Sequence, residues 1–293
     1  MGGPRAADER EGAVHPIISE RVDLIAKDRE HGAGWLARQA VEALAAAVDE
    51  GADALESGRA LASTRPAIGA IASAVGRALA AGRTHDHLVD ECRALLERRD
   101  RAAHSIAVLL RPSLEGTVMT HSASATVREA LLYGHPDRVV CTVTGPYEEG
   151  RALARELEGE GLTVDLVADE DAAHAVTTVG LLLLGADSVF RDGALVNKAG
   201  TSELAAAAKE VGVPVVVACE TFKLAPVDAP SGERSGSADL DLEEEPFDLT
   251  PPEWIDRYVT DEGVFEPDEI AALVDQTPFL REGYELLSAG RVS

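Results

Sequence analysis

The chain is predicted to be an α/β protein: a helical N-terminal domain over 15–111, then a doubly wound parallel sheet over 112–293. Three observations predict this. Before Leu114 apolar residues recur at helical spacing and no run reads as a strand. After Leu114 short apolar runs alternate with amphipathic stretches, the βαβ pattern of a parallel sheet covered on both faces. With 293 residues and 45% apolar composition the chain can bury a full core, as one large domain or two of ordinary size.

Taken in order, residues 1–14 mix Gly, Pro and charges without periodicity and read as a flexible tail. Leu36, Ala40, Ala43, Leu44, Ala47 and Val48 mark a helix that Gly51 stops. Ala67–Ala81 is a second, Ala-rich helix opened by Arg65-Pro66, and His85–Arg111 holds one or two more. Strands are expected at Val118–Thr120, Arg138–Val143, Thr163–Val167, Leu181–Leu184 and Pro214–Ala218. Helices are expected between them at Ser122–Tyr133, Glu148–Glu160, Glu170–Thr178 and Thr201–Val211, with right-handed crossovers. Asp228–Pro246 is acidic and Gly/Ser-rich, hence an exposed loop; order returns at Phe247–Tyr258, and Pro267–Val274 is the final short helix. No internal repeat is present.

The charge balance is extreme: 52 acidic residues against 27 basic ones, a formal charge of −25, with lysine only at 27, 198, 209 and 223. Direct nucleic-acid binding needs basic surface and is excluded. The acids could recruit a basic partner or could adapt the surface to high salt, where screening removes self-repulsion. Their spread along the whole chain favours a halophilic, acidic protein. No apolar run approaches the roughly 20 residues that span a bilayer, and Met1–Glu20 lacks an apolar leader core. Cys92, Cys141 and Cys219 have no metal-ligand spacing; neither metal nor cofactor is expected, and a reducing cytoplasm is.

In an open parallel sheet, ligands lie outside the carboxyl ends of the strands. Ser122 and Ser124 follow the first strand, where they either cap a helix or offer free N–H groups to a phosphate. Thr144-Gly145-Pro146 after the second is a ligand loop or an ordinary turn. Asp187 follows four leucines; a buried carboxylate is costly unless paired or functional. Lys198 is either its salt-bridge partner or, with the Gly200 and Thr201 amides, faces a ligand anion. Arg29 and Arg65, at helix starts, suit phosphate but are equally compatible with plain surface positions.

These pieces occur together in an order that resembles a known family. It unites the alpha, beta and delta regulatory subunits of translation initiation factor 2B with methylthioribose-1-phosphate isomerase and ribose-1,5-bisphosphate isomerase. The matching segments are Gly32-Ala33, Arg65-Pro66, Thr120-His121-Ser122, Gly185-Ala186-Asp187, Asn197-Lys198-Ala199-Gly200-Thr201, and Phe247-Asp248 through Pro251-Pro252 to Thr260-Asp261-Glu262-Gly263. The resemblance implies a Rossmann-like C-terminal domain, homo-oligomerisation (at least a dimer) through it, and a phosphorylated sugar or nucleotide as ligand. It implies catalytic positions at Asp187 and Ser122, and ligand contacts from Arg29, Gly32, Ala33, Arg65, Ser124, Gly145, Asn197, Lys198, Gly200 and Thr201.

The departures matter as much. The isomerases carry a cysteine after the Thr-His pair, thought to transfer protons with the aspartate; here that position is Ser122, a much weaker acid with no obvious activating neighbour. The isomerases read Glu-Thr-Arg-Pro where this chain reads Val143-Thr144-Gly145-Pro146. Losing the arginine weakens phosphate binding by about 1.5–3 kcal/mol for a charge-assisted bond. The expectation is a non-catalytic regulatory or assembly homologue that retains the pocket; the alternative is an aldose-ketose isomerase of a ribose phosphate.

Overall fold

The computed structural model describes residues 14–29, 31–82, 84–229 and 247–289. The expected tail at 1–14 and acidic loop at 228–246 therefore lie almost wholly outside the described residues. Five helices come first: α1 (Pro16–Lys27), α2 (Ala33–Asp49), α3 (Ala54–Ala62), α4 (Gly69–Ala81) and α5 (His85–Leu110). Asp53 and Thr84 cap α3 and α5, accepting from the amides of Glu56 and His87. The apolar faces of α1, α2 and α4 meet in one cluster that includes Ile18, Leu36, Leu44, Ile71 and Val75.

The sheet order is β3-β2-β1-β4-β7-β9-β10. Its strands are β1 (Thr117–Thr120), β2 (Arg138–Thr142), β3 (Val164–Val167), β4 (Leu181–Leu184), β7 (Val215–Ala218), β9 (Arg257–Thr260) and β10 (Gly263–Phe265). Every neighbouring pair is parallel except β9–β10 at the edge. This is the expected Rossmann-like, doubly wound sheet. Strand residues alternate between two apolar clusters because successive side chains point to opposite faces. Met119, Leu182, Leu184 and Val217 pack with α9 (Thr201–Val211) and α10 (Ile270–Gln276). Val118, Val139, Leu183 and Ala218 pack with α6 (Ala125–Gly134) and α7 (Glu149–Gly159). No helix among the described residues is long and apolar enough to cross a membrane.

Three expectations are corrected, and one loop gains regular structure. The helix after β1 starts at Ala125, not at Ser122: Ser124 is its N-cap and Ser122 stands in the preceding loop at φ 64°. The expected helix Glu170–Thr178 breaks into two 3₁₀ turns around a single α-turn, α8 (Ala172–Ala175). The loop between Gly185 and Gly200 is a true hairpin, β5 (Ser188–Val189) and β6 (Leu195–Lys198), extended by β8 (Phe247–Thr250) into a second, antiparallel sheet. The helix at Pro267–Val274 is not the last: α11 (Leu280–Ser288) follows and packs back on α4.

The α4–α11 crossing is a backbone-to-backbone approach. A Cβ on Gly283 would stand 2.3 Å from the Gly76 carbonyl carbon, and one on Gly76 would stand 2.8 Å from that of Gly283. In helix interiors Ala is normally better than Gly by about 0.5–1 kcal/mol. At this crossing the sign reverses: Gly283→Ala is expected to destabilise by about 1–3 kcal/mol through overpacking. At Gly159, where an added Cβ meets nothing within 4 Å, the same change is expected to be neutral or stabilising. Urea unfolding of the two variants checks this; equal effects would refute the packing account.

Candidate functional site

The strand order reverses between β1 and β4, which are direct parallel neighbours. At such a switch point the two chains leave the sheet in opposite directions and a crevice opens beyond their carboxyl ends. His121 and Ser122 follow β1, and Asp187 follows β4, so the sheet brings both sequence-predicted catalytic positions to this crevice.

Asp187 is anchored by its backbone, whose N–H donates to the Val196 carbonyl at 3.0 Å. Its carboxylate accepts no hydrogen bond among the described residues. Burial pushes the carboxyl up, while Lys223, Lys198 and Arg65 pull against that shift. Two of the four lysines in the whole chain thus act on one carboxylate. The next residue fixes the helical layer beside it: Ser188 Oγ accepts from the Gly69 amide at 2.6 Å and donates to the Ala67 carbonyl at 2.8 Å. Arg65, 6% exposed, is thereby held at the crevice, donating to the Asp28 carbonyl at 3.0 Å.

Of the two readings of Lys198, the salt bridge to Asp187 is not what forms. The Lys198 ammonium pairs at 2.8 Å with Glu149 Oε1, on the first turn of α7. The other oxygen of Glu149 accepts from the Ser122 hydroxyl at 2.7 Å, so Ser122 does have a charged neighbour, contrary to expectation. Lys198 also stands 5.4 Å from the Phe247 ring centroid and 5.9 Å from that of Tyr147. The second lysine, Lys223, is nearly buried against Glu220 at 2.8 Å. Against the penalty of burial, Lys223 and the Thr126 hydroxyl hold the Glu220 carboxyl below its ordinary range.

Ser122 is one of three non-glycine residues in left-handed backbone here; the others are Thr144, at φ 60°, and Glu148, at φ 53°. The Ser122 amide donates to Thr144 Oγ1 at 3.0 Å. The chain of bonds continues with a fixed direction. His121 Nε2 lies 2.9 Å from the Ala199 carbonyl, which can only accept, so Nε2 carries the proton. Nδ1 then accepts from Thr142 at 2.8 Å, and Thr142 accepts from Thr144 at 2.9 Å. Burial holds His121 below its usual pKa, the direction that favours the neutral ring this pattern uses. Backbone strain sustained by so many bonds is characteristic of functional sites.

The other sequence-predicted residues divide. Asn197 donates to the Thr201 hydroxyl at 3.0 Å, which donates to the Lys198 carbonyl at 2.6 Å; both brace the loop that carries Lys198. The Gly200 and Ser202 amides do face an anion, but it is the chain's own Asp248, at 2.7 and 3.1 Å. Ser124 accepts from the Val127 amide and serves as a helix cap. The Gly145 amide donates to Asp169 at 2.8 Å. Arg29 donates to the carbonyls of Ala26 and Asp28 at the end of α1. Gly32 is the N-cap of α2, and Ala33 is buried in the helical core. A neighbouring cavity of about 280 Å³, between His121, Asp169, Gly200 and Glu203, is lined by acids and no Lys or Arg, which does not suit a phosphate. The three cysteines are buried; Cys92 and Cys141 are pushed up to about 12 and Cys219 further, so all are protonated packing residues.

Glu149, Glu220 and Lys223 are what the sequence reading missed, and Phe247-Asp248 reads in the sequence as a motif with no place at the site. An acid in the first turn of a helix was a visible signal for Glu149; the rest needed the topology.

Burial raises the Asp248 carboxyl from 3.8 to about 6, although the amides of Ser202, Gly200 and Thr201 favour its charged form. Folding therefore favours protonated Asp248. Its stabilising contribution is complete below the unfolded value near 3.8 and is lost as pH rises through about 6. Asp248→Asn keeps an acceptor for the amides and cannot ionise. Its unfolding free energy, followed by urea melts from pH 4 to 7, is expected to lack the decline that the wild type shows across that window. Parallel profiles would refute the assignment.

The comparisons agree with this architecture. A ribose 1,5-bisphosphate isomerase of Haloferax volcanii is 35% identical over 54% of this chain, a match that takes in only 55% of that relative's length. One from Haloterrigena turkmenica is 30% identical over 91% of this chain and 95% of its own. The crystal structure of the Pyrococcus horikoshii translation initiation factor eIF-2B superposes with a TM-score of 0.76 at 26% identity, covering 87% of this chain and 98% of that one. The initiation factor 2 subunit family model matches residues 29–267, and it is to this family that the chain belongs.

Proposed function

We propose that the chain binds a phosphorylated sugar or nucleotide over Asp187 and acts as a non-catalytic regulatory or assembly member of its family. The observation that carries this is Ser122. It stands where the family's isomerases have a thiol, and its hydroxyl is committed to a carboxylate at 2.7 Å. A serine is a far weaker acid than a thiol, and Glu149 is itself engaged by Lys198. Aldose-ketose conversion needs an acid and a base placed together, and only Asp187 qualifies here.

A second reading, ribose-phosphate isomerisation, is favoured by Asp187 itself. Its carboxyl is raised by burial and takes no hydrogen bond among the described residues, the state expected of a group that exchanges protons. Relatives named as ribose 1,5-bisphosphate isomerases support it.

Phosphorus and carbon NMR of ribose 1,5-bisphosphate and ribose 5-phosphate, mixed with the protein in molar potassium chloride, separates the two. Broadened but unconverted signals are the expected result; a ketose product would make the protein an isomerase. Ser122→Cys is expected to convert substrate that wild type leaves unchanged, since a positioned acid-base group contributes about 100-fold or more in rate. Proven binding with no gain in turnover would refute this account of Ser122.

A further inference from the structure

The corner of the crevice at Lys198 already holds an anion. Glu149 uses both oxygens, one on the Lys198 ammonium at 2.8 Å and one on the Ser122 hydroxyl at 2.7 Å. Lys198 is 12% and Glu149 19% exposed, and the faces of Phe247 and Tyr147 flank the lysine. A phosphate arriving at Lys198 would have to displace a largely buried carboxylate and leave it beside a dianion. Desolvated like charges repel strongly, and such juxtaposition is how sites reject a wrong ligand. A sugar hydroxyl meets no such obstacle. It can donate to Glu149 or to the Ser122 oxygen and accept from a Lys198 N–H, because the cluster offers both kinds of partner within one hydroxyl's reach. Lys223 is matched in the same way by Glu220, so this side of the crevice holds no uncommitted lysine among the described residues.

We infer that Glu149 determines the specificity of this corner: it accepts an uncharged, hydroxyl-bearing end of the ligand and turns a phosphate away. The inference rests on the sugar-phosphate reading above and narrows it to a singly phosphorylated sugar. Tyr147, half exposed at the rim, and Phe247 would offer ring faces to the same end of the sugar.

The test is calorimetric binding of ribose 1-phosphate, ribose 5-phosphate and ribose 1,5-bisphosphate at one salt concentration. It compares wild type, Glu149→Gln and Glu149→Ala, each checked for folding by circular dichroism. Wild type is expected to prefer a monophosphate over the bisphosphate by about tenfold or more, and both variants to erase or reverse that preference. A wild type that prefers the bisphosphate, or a ratio unchanged in the variants, overturns the inference. Thermal unfolding with inorganic phosphate as the probe separates this from failure of the sugar reading. If no ribose phosphate binds but the variants gain a phosphate-dependent rise in Tm that wild type lacks, Glu149 keeps its role and the sugar reading falls. If the variants gain nothing from phosphate, the role assigned to Glu149 is wrong.

Discussion

Everything at the candidate site depends on one pairing, the parallel contact of β1 with β4 in the middle of the sheet. It is the point where the winding of the sheet changes direction, and at such a point two strand ends open onto a shared crevice. Ser122 and Asp187 lie 65 positions apart in sequence and are carried to the same end of the sheet because Met119 is in register with Leu182. The Ser188 hydroxyl then docks α4 beside the crevice, which brings Arg65 to a site otherwise built from the sheet.

The crevice shows how charge can be kept in a poorly solvated place. Each lysine has an acid of its own, Glu149 for Lys198 and Glu220 for Lys223. A lone charge there would be costly, whereas paired charges with further hydrogen-bond donors are tolerated. Asp187 is the exception: it has cations in its field but no donor on its carboxylate among the described residues. The helix N-terminus that could have held a phosphate is likewise supplied with Asp248. In a chain with a charge of −25, two of the four lysines and Arg65 act on Asp187, and both of those lysines are paired with acids.

Much of this was legible in the sequence, for reasons tied to particular residues. The four leucines of β4 and the Val-rich β7 read as buried strands because both faces of a parallel sheet are covered. Asp187 stood out as an acid directly after such a run. What stayed hidden was set by tertiary contact. Gly283 looks like a helix breaker, yet α11 runs through it because Gly76 requires a residue without a side chain. Ser188–Val189 is too short a strand to show periodicity. The left-handed backbone of Ser122 carries no sequence signal, since glycine is the usual mark of that conformation. Glu149 could be seen at a helix start, but its partners lie 27 and 49 residues away and are chosen by topology.

Helix α5 carries a further consequence. Its first half contributes Leu88, Cys92 and Leu95 to the helical cluster, and its last turns contribute Ile106, Ala107 and Leu110 to one face of the sheet. At 1.5 Å per residue its 26 residues form a rod of about 39 Å. Because the rod packs in both cores, disturbing one end of it is felt by both the helical layer and the sheet, which couples the two.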